Sequence, residues 1–346
     1  MIGKNIMYYR LKQGMTKKEL AQAVGVTPMA ISHYEQDQRT PDLTMSRKLA
    51  AALKTNLASL MAAHNGQHQY AHREFRKLSK FSKANQDYIR ASVEDYFDRF
   101  LTVSDILGEG ALHDVPPVHS LHPTMDVEQD AKSLRTLLGF AKEGPIPNLI
   151  GALENKGILI YQFDYDNDQF SEMNGMVDDR PYIILNSRMT PERQRSTLVH
   201  ELAHVFFEEP EQDDNRWEKY MTAVSGAFLF PKKDAINELG VRRKAVTSDM
   251  AMVAKEYGIS LQMLAKRAQV LNILNDQAYR LFNIQLNQHG GRKNEPSRIE
   301  PESTSLFIQL VLRAIGEEEI SVSKGAELLR IPLMDMRQMT MLQEEC

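Results

Sequence analysis

The sequence predicts a mainly α chain with a small α+β core: an N-terminal five-helix bundle, a helical connector, a domain with a short sheet and a C-terminal helical region. Three observations predict it. Short capped segments with helical apolar spacing fill the first 63 residues, a long amphipathic stripe follows, and brief apolar runs between residues 157 and 186 lie among helical segments. A chain of 346 residues, 42% hydrophobic and 25% charged, accommodates two or three globular domains.

Thr16-Lys17-Lys18-Glu19 has the form of a capping box, opening a helix whose apolar Leu20, Ala23 and Val24 share one face, and Gly25 stops it. Thr27 and Pro28 supply an N-cap and a first-turn proline for a second helix through Ile31 and Tyr34, which breaks before Thr40-Pro41. Leu43 to Leu53 and Leu57 to Met61 read as further helices, completing a domain over 1–63.

From 64 to 124 the sequence reads as a connector. Phe75, Leu78, Phe81, Tyr88, Ile89, Val93, Tyr96, Phe97 and Phe100 recur at helical spacing among charges, a stripe suited to packing or to a dimer surface. Gly108 to Pro123 reads as a flexible linker.

A third segment, 125–300, opens with a helix near Val127–Phe140 and passes through Pro145-Ile146-Pro147 into another helix. Gly157–Phe163 then reads as a buried strand, with two more at Gly175–Val177 and Pro181–Asn186 around Asp178-Asp179-Arg180. Thr190-Pro191-Glu192 is expected to cap a helix continuing to Phe207. The last segment, 301–346, suggests through Ala314-Ile315, Ile320 to Leu329 and Ile331-Pro332 a small helical pair that looks like half of another helix-turn-helix without a basic recognition helix, and is read as a packing or partner-binding appendage.

Composition narrows the chemistry. Cys346 is the only cysteine, so a metal site within the chain must draw on His, Asp and Glu. The N-terminal MIGKNIMYYRLKQGM has no apolar core of signal-peptide length, and no stretch approaches the roughly 20 apolar residues of a membrane span, so a cytoplasmic location without membrane attachment is expected. Residues 1–63 carry nine Lys/Arg against four Asp/Glu, a net +5 inside a chain of net −4. Positive charge therefore gathers on the segment with the helix-turn-helix pattern.

The helix after Pro191 contains His200-Glu201-Leu202-Ala203-His204. Residues four apart lie one above the other, so His200 and His204 can present two imidazoles to one tetrahedral ion, expected to be a single zinc per chain. Glu201 stands one position round from the first histidine, suited to take a proton from water rather than to bind metal. A site of two histidines and one carboxylate leaves a fourth position open, the mark of a catalytic zinc. Candidates for that carboxylate are Glu218, near the start of a second helix over Asn215–Phe230, and upstream Asp213, Asp214, Glu211 and Glu209.

Two resemblances cover most of the chain. Leu11, Thr16 to Ala21, Val24 to Thr27, Ile31-Ser32, Tyr34-Glu35 and Arg39-Thr40-Pro41 fall where the Cro/repressor-type helix-turn-helix of the XRE family expects them, and residues 5–61 resemble that family. Residues of about 126–335 resemble the ImmA/IrrE metallopeptidases through Pro181–Asn186, the arginine-containing helix start, His200–His204, and Glu218 ahead of Ala227-Phe228-Leu229-Phe230-Pro231. The pattern departs at Met221 and Val224. In that family the acid before the A-F-L-x-P run ligates the metal, which implies Glu218.

The resemblance implies a DNA-binding, zinc-dependent, gluzincin-like metalloendopeptidase with a zincin-like fold. Its implied substrate is a helix-turn-helix repressor or antitoxin-like protein whose cleavage relieves repression of mobile-element or stress genes. Glu201 would be the general base; an oxyanion donor is also needed, for which Tyr220, His289 and Arg292 are candidates, with an ordinary surface role the favoured reading of all three. On double-stranded DNA, Thr27, Pro28, Met29, Ser32 and His33 would face base edges and Lys17, Lys18 and Arg39 phosphates, with Arg10 and Glu35 forming an internal ion pair. Paired half-sites imply a homodimer. The alternative is a transcriptional regulator whose metal domain is a sensor without peptidase activity; a base beside the ligand favours the enzyme.

Overall fold

A computed structural model describes residues 2–62, 68–72, 81–167, 170–210, 215–288, 290–291 and 295–341. The expectations placed on Phe75, Leu78, Glu211, Asp213, Asp214, His289, Arg292 and Cys346 lie outside the described residues. The chain divides into two units, 1–112 together with 305–346, and 113–304.

In the first unit, helices Ile2–Lys12, Lys17–Val24, Pro28–Glu35, Leu43–Ala52 and Leu57–Met61 form the expected five-helix bundle. Ile6, Leu20, Ile31, Leu49, Leu53 and Leu60 are fully buried at its centre. The capping box closes both ways: the Glu19 amide donates to Thr16 Oγ1 at 3.2 Å and the Thr16 amide to Glu19 Oε2 at 2.7 Å. Gly25 then takes a left-handed φ of 75°, which a side chain would resist, and the chain turns into the next helix. The Arg10 guanidinium grips Glu35 and donates to the Met15 carbonyl, tying the first helix to the third.

Helix Lys83–Leu107 buries Ile89, Val93, Phe97, Phe100 and Val103. Its aromatic stripe packs against helix Leu306–Gly316, with the Tyr96 and Phe100 rings 5.4 and 5.3 Å from that of Phe307. The C-terminal segment thus holds three described helices rather than a pair. The last two, Val322–Leu329 and Leu333–Thr340, repeat the spacing of the N-terminal motif, with Arg330 left-handed at φ 56° where the first motif has Gly25. The Arg330 side chain lies 4.5 Å over the Tyr8 ring and pairs with Asp95.

The second unit is built on strands Leu159–Phe163, Glu172–Val177 and Arg180–Asn186. The third strand is central here, parallel to the first with Ile160 beside Ile183, and antiparallel to the second with Asn174 beside Ile183. Val177 and Arg180 pair across a two-residue turn whose Asp178 has φ 50°, a conformation Asp tolerates. Helix Pro191–Phe206 crosses this sheet and buries Leu198, Val199, Leu202 and Phe206. Thr190 gives this helix no side-chain cap, contrary to expectation; Gln194 instead donates to the Ser187 and Met189 carbonyls, and Pro191 starts the helix.

Helix Asn215–Leu229 lies against Pro191–Phe206 and Val127–Leu137, its Trp217, Met221, Val224 and Phe228 in the core. Arg135 donates to the carbonyls of Phe228, Ala141 and Gly144, fixing the far end of that helix. Helices Lys232–Leu239, Ser248–Tyr257, Leu261–Val270 and Asp276–Gln288 complete the unit. Part of the stretch expected as linker is tied down: the amides of His119 and Leu121 donate to the carbonyls of Val205 and Phe206, and that of Glu208 to Leu121.

Candidate functional site

His200 and His204 project from one face of helix Pro191–Phe206, as their spacing requires. Their Nε2 atoms stand 3.2 Å apart. Glu218 comes from the first turn of helix Asn215–Leu229, whose apolar face anchors it against the histidine helix. Its Oε2 lies 3.3 Å from His200 Nε2 and its Oε1 3.5 Å from His204 Nε2. Among the described residues, these three form the group of His, Cys, Asp and Glu side chains able to hold a metal ion.

The donor set fits zinc. Atoms bound about 2.0–2.1 Å from a tetrahedral zinc sit roughly 3.3 Å from one another. The three separations of 3.2, 3.3 and 3.5 Å match the edges of one face of that tetrahedron. Two imidazole nitrogens and a carboxylate are also the chemistry of a zinc site with one open position.

Glu209 lies on the other side of the His204 ring, its Oε1 3.5 Å from Nδ1. It sits just beyond the pairing that ties Leu121 to Phe206 and Glu208, so an anchored backbone places it there. A carboxylate at that nitrogen orients a ligating imidazole rather than competing for the metal. Burial alone would favour the neutral His204 ring, but Glu209, Glu218 and Glu201 reverse this and push its pKa up to about 9. Hydrogen bonds from His200 and His204 hold the Glu218 carboxyl well below the usual range. A concentration of negative charge around two imidazoles suits a cation.

Glu201 is buried beside this group, and its Oε2 accepts a 2.6 Å hydrogen bond from Asn174 Nδ2 on strand Glu172–Val177. Asn174 escaped the sequence reading, because a lone asparagine in a strand shows its role only when sheet and helix come together. Tyr220 is engaged elsewhere, which removes it as an oxyanion donor: its hydroxyl donates to Asp130 Oδ2 at 2.5 Å, and burial followed by Asp130 raises its pKa above the ordinary phenol range.

In the helix-turn-helix, Lys18, Thr27, Pro28, Met29 and Arg39 are exposed, Met29 by 64%. Thr27 caps helix Pro28–Glu35, accepting from the Ala30 amide at 3.2 Å. Ser32 and His33 are half-buried along that helix. Lys17 is not a free phosphate ligand: its Nζ lies 3.1 Å from Ser32 Oγ and 3.3 Å from Glu35 Oε2. Two expected contact residues are therefore held together.

Residues 6–60 match the family model described as Helix-turn-helix, and residues 153–269 that described as IrrE N-terminal-like domain. The expected union of an XRE-type helix-turn-helix with an ImmA/IrrE-type domain is thereby found in one chain. No curated protein and no solved structure matches the chain significantly.

Proposed function

We propose that this chain is a DNA-binding zinc metallopeptidase that cleaves a helix-turn-helix repressor or antitoxin-like protein and so relieves repression of mobile-element or stress genes. One observation carries the reading. His200, His204 and Glu218 converge at tetrahedral spacing while Glu201, outside that set, stays buried next to it. A structural metal site has no use for such a neighbour.

His200, His204 and Glu218 would hold one zinc ion per chain. Bound there, zinc supplies Lewis-acid polarisation of the scissile carbonyl and makes water a nucleophile near neutral pH. Glu201 takes the proton from the attacking water as its oxygen adds to the carbonyl carbon. The same carboxyl then delivers that proton to the amide nitrogen as the C–N bond breaks. Glu209 holds the His204 ring in place through Nδ1.

The helix-turn-helix would bring the enzyme to duplex DNA as a homodimer in the cytoplasm, through Lys18 and Arg39 on phosphates and Thr27, Pro28, Met29, Ser32 and His33 toward bases, with Lys17 acting through Ser32. Among the described residues no helix is long and apolar enough to cross a membrane.

The test is to incubate the zinc-loaded chain with helix-turn-helix proteins encoded beside its gene and to follow their mass. The expected result is a discrete cut, absent in Glu201→Gln. Intact partners that nevertheless change the chain's DNA affinity when zinc is added would support the sensor instead.

A further inference from the structure

We propose that Asn174 is a positioning residue for Glu201, fixing one carboxylate oxygen so that the other faces the substrate water; this rests on the peptidase reading. Glu201 is one residue on from His200, about 100° round the helix from the metal-facing direction. Its flexible side chain must therefore be steered back toward the reacting atoms.

The steering comes from the sheet. Asn174 lies in strand Glu172–Val177, paired in register with Ile183 of the neighbouring strand, so its backbone is fixed on a rigid element. Asn174 and Glu201 are 8% and 7% exposed, and their side chains meet at 2.6 Å. The amide must turn its N–H toward the carboxylate, since its carbonyl oxygen would oppose the charge. A donor N–H on Oε2 fixes the plane of the carboxylate and leaves Oε1 for proton transfer. The side-chain hydrogen bond that Asn174 makes is to Glu201, and Asn174 acts through it.

A probe that needs no knowledge of the substrate can test this. Acetohydroxamate chelates the metal of the full-length cobalt-loaded chain and gives its hydroxyl hydrogen to the carboxylate beside it, so its affinity, read from the cobalt absorption spectrum, reports where Glu201 points. Asn174→Leu keeps the γ-branched shape without a donor, at a larger volume, and Asn174→Asp keeps both shape and volume while replacing the amide NH2 by oxygen. Both are expected to retain one cobalt per chain and to bind acetohydroxamate about tenfold more weakly, the lower end of losses for outer-shell partners. Added to Glu201→Gln, Asn174→Leu should produce no further loss, because the effect runs through the carboxylate. Unchanged affinity in both single variants, a further loss on the Glu201→Gln background, or loss of cobalt itself overturns the positioning role and leaves the peptidase reading standing. Failure of the cobalt-loaded wild type to bind acetohydroxamate overturns the peptidase reading, and the proposal with it.

Discussion

Glu209 Oε1 stands 3.5 Å from Nδ1 of His204, on the side of the ring away from Glu218. The two acids flank one imidazole, and only the Nε2 side completes the metal group. Glu209→Gln should therefore weaken zinc affinity about 10- to 100-fold without abolishing binding. Competition titration against a chromophoric chelator measures it. Complete loss of zinc would instead make Glu209 a ligand.

The ligands and the base should fail differently. His200→Ala and His204→Ala each remove one of three donors and should abolish zinc occupancy in metal analysis. Glu218→Gln should weaken it, with added zinc restoring part of the cleavage. Glu201→Gln should keep zinc and fold while losing cleavage by several orders of magnitude. Normal zinc affinity in Glu218→Gln would remove its ligand role, and unchanged cleavage in Glu201→Gln would end the peptidase reading.

The helical half of this arrangement is legible in sequence and the rest is not, for a physical reason. His200 and His204 announce themselves because four-residue spacing puts them on one helix face. Glu218 stands among several acids that no local rule ranks, and only the apolar run after it, with the family pattern, singles it out. Glu209 is a rival ligand in sequence, since which side of a ring an acid occupies is set by tertiary packing. Asn174 depends on strand register and on a helix crossing the sheet, which no short window contains. Residues 232–288 carry helices that apolar spacing alone does not separate; Ser260 and Asn275, which accept the Met263 and Ala278 amides, mark two of their starts.

The site should also impose a pH dependence on the metal-free chain. The folded pKa of His204, about 9, lies above its ordinary 6.5, so the fold favours the protonated ring. That stabilisation is fully present below about 6.5 and is lost as pH rises through about 9. Glu218 is shifted the other way: its contribution is present above its ordinary 4.5 and is lost as pH falls through the depressed folded value. Chelator-treated chain should exceed His204→Gln in melting temperature most between 4.5 and 6.5, with the gap closing toward 9. Zinc displaces the His204 proton, so its apparent affinity should rise with pH until about 9. A gap constant up to pH 9 would contradict the assignment.

Arg330 joins the C-terminal helices to the rest of its unit, stacking on Tyr8 and pairing with the 5% exposed Asp95. Arg330→Ala strips a partner from a buried carboxylate, although Arg99 still lies 3.3 Å from Asp95. The expected cost is roughly 3 kcal/mol, the low end for breaking a buried pair. Urea unfolding followed by Tyr fluorescence checks it, and a change below about 1 kcal/mol, the scale of an exposed pair, would show that the pair is not effectively buried.

On DNA, the pairing of Lys17 with Ser32 reshapes what substitution should do. Lys18 and Arg39 are exposed, so Lys18→Ala and Arg39→Ala should weaken all sequences alike and each lower the salt slope by about one. Ser32→Ala should relax sequence preference at one position, with a penalty of about 1–3 kcal/mol if its hydroxyl contacts a base edge. Lys17→Ala would behave as a simple phosphate contact only if its ammonium were free, but that group lies 3.1 Å from Ser32 Oγ and 3.3 Å from Glu35 Oε2. Removing it releases the serine rotamer on the recognition helix, so Lys17→Ala should lose both affinity and discrimination. Binding of an operator and a single-base variant across a salt series separates the two effects. Uniform weakening with intact discrimination would mean that Lys17 leaves Ser32 for a phosphate when DNA is bound.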